Sequence, residues 1–158
     1  MIFFNNKKKF NHNIEIYYNV LSEKERKNIL KTSNSKLYKI GDDFPGLQTD
    51  PDFHYYIEQN SLNKLCKKVK NKNIYRCWVN YTDSNMNYEN WHNHENFKNT
   101  CVYMIDNPEK KGTIFKVDGE CYSVDLPTNS LIIFPSHLMH TVPYNITKSR
   151  YSLAIVFD

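Results

Sequence analysis

Six short runs between residues 74 and 157 constrain this chain more than any other feature. They read "IYRCWVNY", "TCVYMID", "GTIFKV", "ECYSVD", "SLIIFP" and "RYSLAIVF", each rich in β-branched and aromatic residues. Turn chemistry separates them, in "DNPEKKG", "DGE", "LPTN" and "PYNITKS". Many short strands at such intervals imply a mainly β fold, an all-β sandwich or jelly roll. "SLIIF" is apolar on both faces, as expected of a strand covered from both sides.

The N-terminal part has a different character. "IEIYYNV" (14–20) predicts a strand, and Ser22 with Glu25 has the spacing of a capping box, which starts a helix at about Glu23. "GDDFPGLQTDP" (41–51) is dense in turn formers and reads as a loop. Leu62, Leu65 and Val69 recur at helical spacing and predict a second helix over 54–70. Two helices would then pack across one face of the β structure. No internal repeat or low-complexity linker interrupts the 158 residues, a length that suits one domain. We expect residues 1–73 to support a jelly-roll core formed by 74–158.

Bulk properties narrow the function classes. The net charge of +4 is modest, and the basic clusters "NNKKKF" (5–10) and "KLCKKVKNK" (64–72) lack an aromatic–basic repeat. They read as solvated faces, and a nucleic-acid partner is not expected. Cys66, Cys77, Cys101 and Cys121 show no CxxC pairing and read as reduced thiols. "MIFFNN" is too short an apolar run for a signal peptide or membrane span, so a soluble cytoplasmic protein is expected. Arginine occurs only at positions 26, 76 and 150, which makes each one informative.

The stretch "NWHNHENF" (90–97) carries His92 and His94 two residues apart. If 86–94 runs as a strand, both imidazoles share a face, and Glu95 points the other way. His140, in "FPSHLMH", follows the apolar strand "SLIIF". A jelly roll can bring these segments together at one end of its interior. Three neutral imidazoles there would bind Fe(II), Zn(II) or a similar divalent ion. The bland reading is three ordinary polar histidines. Arg150 and Ser152 share a strand face with Ala154 and Val156, while Tyr151, Leu153, Ile155 and Phe157 share the other. An arginine on the face with smaller residues suits a guanidinium that must reach a carboxylate inside the barrel. Its bland counterpart is an edge-strand arginine paired with a surface acid.

In order and spacing, these elements resemble the Fe(II)- and 2-oxoglutarate-dependent oxygenases of the double-stranded β-helix (cupin-like) fold, in particular those of bacteria and their phages. The resemblance covers about Ile74 to Phe157, and "GLQTDPDF" (46–53) is similar to the entry to that domain. It rests on Trp78–Asn80, His92–His94, "CVYMI", Gly112–Phe115 and "FPSHLMH". It implies Fe(II) and 2-oxoglutarate as cofactors, with His92 and His140 as metal ligands. His94 takes the place of the usual carboxylate ligand. It further implies that Arg150, assisted by Ser152, holds the far carboxylate of 2-oxoglutarate, and that Tyr103 hydrogen-bonds the same cosubstrate. Asn80 and Tyr81 would touch cosubstrate or substrate, and His137 would have only a rim or supporting role. His12 and His54 fall outside the motifs.

The departure at His94 has a physical consequence. Imidazole brings neither negative charge nor a hard oxygen, so three neutral ligands leave Fe(II) its full +2 charge. The dianionic cosubstrate would then neutralise the metal. Ala or Gly at this position would leave a coordination place open for halide, as in related halogenases; His does not, so hydroxylation is the expected outcome. The expected partners are dioxygen and a substrate that is a peptide, an amino acid or a nucleotide, with a peptidyl or prolyl hydroxylase favoured by the resemblance alone. Two alternatives stay open. One is a three-histidine cupin-type metal oxygenase that does not use 2-oxoglutarate, and the other is a non-catalytic binding module of the same fold.

Overall fold

Alternation along the strands decides the layering, because it gives each strand of the larger sheet one face for the helices and one for the smaller sheet. The structure, a computed structural model, describes residues 8–10, 13–40, 44, 46–69, 73–84, 90–143 and 145–158. The larger sheet has the order β1 (Lys8–Phe10), β2 (Ile14–Tyr18), β8 (Ser130–Pro135), β5 (Asn99–Asp106), β10 (Arg150–Phe157), β4 (Ile74–Thr82), β3 (Leu47–Gln48). The smaller sheet has the order β7 (Glu120–Asp125), β6 (Lys111–Val117), β9 (Met139–Thr141). Neighbours in both sheets pair antiparallel.

On the outer face of the larger sheet, Cys101, Tyr103 and Ile105 of β5 and Leu153, Ile155 and Phe157 of β10 form one apolar layer. Helices α1 (Glu23–Asn34) and α2 (Gln59–Cys66) cover it through Ile29, Leu62 and Leu65. Full burial of one such aliphatic side chain contributes about 1.5–3 kcal/mol. On the inner face Met104, Ile132 and Phe134 pack against Phe115 and Val124 of the smaller sheet. β8 serves both layers, Leu131 and Ile133 outward and Ile132 and Phe134 inward, so its continuous apolar run is accounted for.

The local signals act as the sequence implies. Ser22 Oγ accepts from the Glu25 amide at 3.3 Å, and the Glu25 carboxylate accepts from the Ser22 amide at 2.8 Å, closing the capping box. The same carboxylate accepts from Lys64 Nζ at 2.7 Å, tying α1 to α2. Asp118 (φ 52°) and Gly119 (φ 86°) form the two-residue β6–β7 turn, whose geometry favours Gly at the second position. At Gly112 a Cβ would collide with the Val124 carbonyl and the Leu126 side chain, so only glycine lets β6 approach β7 this closely.

Four expectations change. The helix expected over 54–70 is a 3-10 turn, Phe53–Tyr56, followed by α2; Ile57 and Glu58 are extended between them, which turns the chain so that Phe53, Ile57, Leu62 and Leu65 all reach the core. Residue 70 lies outside the described residues. The loop expected over 41–51 contains β3, whose Leu47 and Gln48 pair with Tyr81 and Asn80. β9 went unread because "MHT" has no apolar run. Within 86–94, residues 86–89 lie outside the described residues, and beyond them only His92 makes a β-bridge, so the expected strand is not found over 90–94. No helix among the described residues is long and apolar enough to cross a membrane.

Candidate metal centre

Backbone pairing brings the histidines together. His140 lies on β9, opposite Phe115 of β6. On its other side it exchanges both backbone hydrogen bonds with His92: the His92 amide donates to the His140 carbonyl at 3.0 Å, and the reverse bond is 2.9 Å. The His94 amide donates to the Ser136 carbonyl at 2.8 Å, which anchors the second position of "HNH" to the turn before β9. One ring nitrogen from each of His92, His94 and His140 lies within 4.8 Å of the others. Loop geometry and two cross-chain anchors, not strand alternation, therefore produce the convergence.

Tautomers suit metal binding. His92 Nδ1–H donates to the Asn90 carbonyl at 3.0 Å and His140 Nδ1–H to the Leu138 carbonyl at 2.8 Å. This assignment leaves Nε2 of each ring with its lone pair free, the arrangement seen when a second partner orients a metal-binding histidine. Burial, then the charges of His92 and Arg76, pushes His94 down to about 4. Burial and the charge of His92 outweigh the Leu138 carbonyl and push His140 down to about 3. Both rings are neutral at physiological pH, as ligands must be. Glu95 is held by Asn93 Nδ2 at 2.9 Å, on the exposed turn, and stays out of the cluster. Glu89 lies outside the described residues.

The cluster borders a cavity of about 430 Å³ between the sheets. Arg150, Ser152 and Ala154 project into it from β10, as their shared face implies. Arg150 is 2% exposed, yet its guanidinium has no carboxylate partner among the described residues. Its Nη2 lies 3.6 Å from the Met104 sulfur, a weak acceptor, and its Nε has no hydrogen-bond partner. Burial alone pushes this group down to about 10. A buried, charged guanidinium with Nε unsatisfied and only a sulfur acceptor at Nη2, facing a cavity, fits an anionic ligand. Ser152 stands opposite Asn80 of β4 and Met104 of β5, which places its hydroxyl beside Arg150 on the cavity floor.

Asn80 also lines the cavity. Its Oδ1 accepts from Gln48 Nε2 at 2.6 Å and Trp78 Nε1 at 3.1 Å, which fixes the amide's orientation. The indole of Trp78 meets the His94 ring edge-on at 6.1 Å between centroids. Tyr103 is a correction. It has the parity of Cys101 and Ile105 on the outer face, and its hydroxyl donates to Asn129 Oδ1 at 2.8 Å, so it cannot reach a cosubstrate in the cavity. Period two made Tyr103 and Met104 opposites, but the sequence did not say which of them faced inward. Met104 beside Arg150, and Thr113 and Thr141 on the cavity wall, carry no sequence signal, because they are ordinary strand residues until the sheets are stacked. Tyr81 points away from the cavity and packs on Tyr151 at 4.9 Å. His137 is exposed, His12 lies outside the described residues, and His54 stacks on Tyr55 at 4.2 Å, away from the cluster.

No protein-family model matches the chain, and no curated protein matches it by sequence. Solved structures do match in three dimensions. The non-heme α-ketoglutarate (2-oxoglutarate) dependent epimerase SnoN from nogalamycin biosynthesis aligns over 92% of this chain and 77% of its own, with TM-score 0.67 and 11% identity. HygX from Streptomyces hygroscopicus, with nickel and 2-oxoglutarate bound, aligns over 91% and 82%, with TM-score 0.67 and 9% identity. A Pseudomonas putida prolyl-4-hydroxylase aligns over 93% of both chains, with TM-score 0.65 and 14% identity. The fold is the double-stranded β-helix of the 2-oxoglutarate–Fe(II) oxygenases. At such identities the likeness establishes the fold, and chemistry must be argued from this chain's own residues.

Proposed function

We propose that this protein is an Fe(II)- and 2-oxoglutarate-dependent dioxygenase. The observation that carries the proposal is the pairing of a three-imidazole cluster with a buried arginine that has no carboxylate partner among the described residues, both on one cavity. The donor set fits a borderline divalent ion, and the orphaned Arg150 Nε fits a carboxylate. His92, His94 and His140 would hold the metal. Arg150 and Ser152 would hold the far carboxylate of 2-oxoglutarate. When bound, these two cofactors supply oxidation of a substrate by dioxygen, with loss of CO2 from the cosubstrate.

The protein's own contribution is positional. The Asn90 and Leu138 carbonyls occupy Nδ1 of His92 and His140 and leave each Nε2 free to hold an ion. Ala154, Val102 and Val142 wall the cavity with carbon and keep water from the fork of Arg150. Asn80, clamped by Gln48 and Trp78, offers its amide NH2 to the same space. We take hydroxylation as the reaction, since His94 fills the coordination place that halide would need. A peptidyl substrate, prolyl among them, is the first to try, because the prolyl-4-hydroxylase aligns over nearly the whole of both chains.

The three neutral ligands also suit a cupin-type oxygenase without 2-oxoglutarate, and one titration separates the two. Fe(II) and then 2-oxoglutarate are added without oxygen, and the visible charge-transfer band of the chelate is followed. The band should form in the wild type, fail in His92→Ala, and need far more 2-oxoglutarate in Arg150→Ala. Iron binding with no band at any 2-oxoglutarate concentration would overturn the assignment in favour of the cupin reading.

A further inference from the structure

Arg76, Trp78 and Asn80 share the inner face of β4, and Arg76 is the outermost. A second groove, of about 380 Å³, opens on the outer side of the histidines and is lined by Arg76, Trp78, Tyr38 and Phe97. It shares Gln48, Trp78, His92 and His94 with the inner cavity, so the two spaces meet at the metal cluster. Among the described residues that line the groove, Arg76 is the one cation besides the histidines, and none is an acid. Its guanidinium sits 5.3 Å from the centroid of the Tyr75 ring, which in turn stacks on Phe97 at 4.4 Å. Those aromatic contacts place the cation and leave its hydrogen-bonding edges uncommitted. Of the acids on neighbouring segments, Asp50 accepts from the Tyr38 hydroxyl at 2.7 Å and Glu95 from Asn93, while Asp52 bridges Cys77 through its backbone. Among the described residues Arg76 forms no ion pair.

The cosubstrate cannot be what Arg76 awaits. Arg150 pairs with Thr82 and Val156 with Arg76, so the two arginines stand six residues apart along paired strands, ~20 Å at about 3.4 Å per residue. A five-carbon diacid held at Arg150 does not span that. The metal cluster lies between the two cations, and whatever enters by the outer groove meets Arg76 before it meets the histidines.

We propose that Arg76 receives a carboxylate or phosphate of the substrate, whose apolar part lies along Trp78 toward the histidines, so that this enzyme oxidises anionic substrates. The inference rests on the oxygenase reading for which end of the substrate reacts, although the anion site itself does not depend on it. One arginine thus engages the cosubstrate and the other the substrate.

The test uses small probes. Protein loaded with Ni(II) and saturating 2-oxoglutarate, so that Arg150 is already engaged, is titrated with 3-phenylpropionate, phenyl phosphate or the neutral 3-phenylpropionamide. Quenching of tryptophan fluorescence reports binding, since Trp78 lines the groove and the chain's other tryptophan, Trp91, precedes the groove-lining His92 in sequence. At least one anion should bind ~10-fold more tightly than the amide, the scale of one charge-assisted, bidentate contact, and whichever of the two binds better names the anion. Arg76→Gln should abolish the preference, Arg76→Lys should keep part of it, and neither should alter 2-oxoglutarate affinity. Equal affinities for all three probes in the wild type, or a preference that survives Arg76→Gln, would overturn the proposal. Failure of the oxygenase reading shows separately, as absent 2-oxoglutarate binding before any probe is added. The same titration on metal-free protein then still reads Arg76.

Discussion

Replacing Arg150 by Met should stabilise the protein free of metal and cosubstrate while destroying its response to 2-oxoglutarate. Arg150 is 2% exposed and has a weakly accepting sulfur as its partner, with Nε unsatisfied. Burial pushes its guanidinium down to about 10. That lies about 2.5 pH units below the ordinary value, and at about 1.36 kcal/mol per unit it amounts to ~3 kcal/mol. The sign follows from linkage. A base whose folded pKa is depressed is destabilising at every pH below that value, so the full penalty acts at pH 7 to 8. Met has similar length and no charge, and replacing a buried charge by an apolar side chain of like volume is commonly neutral or stabilising. Allowing for imperfect packing, the gain should be about 1–3 kcal/mol, or roughly 2–10 °C in Tm for a chain of this size. Urea and thermal unfolding of the apo proteins measure it. With Ni(II) saturating throughout, adding 2-oxoglutarate at 100 times its Kd should stabilise the wild type by a further ~2.7 kcal/mol, and Arg150→Met should lack this gain. An apo Arg150→Met less stable than the wild type, or equal stabilisation of both by 2-oxoglutarate, would refute the reasoning.

Three further outcomes are expected. Glu25→Gln should lose about 1–2 kcal/mol in urea unfolding, because one carboxylate closes the capping box and binds Lys64. Burial opposes ionisation of Glu25, but Lys64 and Ser22 outweigh it and hold it down at about 2, so its stabilisation is present above the ordinary carboxylate range and is lost as pH falls toward 2; an unchanged acid-unfolding profile in the Gln variant would count against this. His94 and His140, held down at about 4 and about 3, bind protons in the unfolded chain that the folded one refuses, so apo stability should fall as pH drops from 6.5 toward 4, and His140→Asn should flatten that slope. Gly112→Ala should cost about 1–3 kcal/mol through collision with the Val124 backbone. Since β6 carries β9 and hence His140, it should also weaken Ni(II) binding measured by calorimetry.

The legible parts of this protein were those written in local chemistry. Strands β4 to β8 and β10 follow from runs of β-branched and aromatic residues, and α1 from Ser22 and Glu25, because pleating and capping act over a few residues. The division of β10 into a cavity face and a core face was equally readable, since alternation needs no partner strand. The second helix was misjudged because Leu62, Leu65 and Val69 keep helical spacing whether or not Ile57 and Glu58 are extended just before them. Tyr103, which the resemblance alone assigns to the cosubstrate, lies on the outer face, and strand alternation could not have told this in advance. A strand's period is visible in its sequence, but its phase relative to the core is set by what lies on either side.

The metal centre divides along the same line. The sequence by itself determined that three histidines and one isolated arginine exist at spacings compatible with a single cavity; that Glu95 stands apart from them follows from the loop and its bond to Asn93, not from the strand alternation expected there. Tertiary structure alone decided the rest. His92 reaches His140 through a two-way backbone bridge across 48 residues, His94 hangs from the Ser136 carbonyl, and Arg150 is shut away from every described carboxylate. Burial is what turns those side chains from ordinary polar residues into a site. It strips His94 and His140 of their protons and denies the guanidinium its water, and a sequence carries no measure of either until the sheets have closed around them.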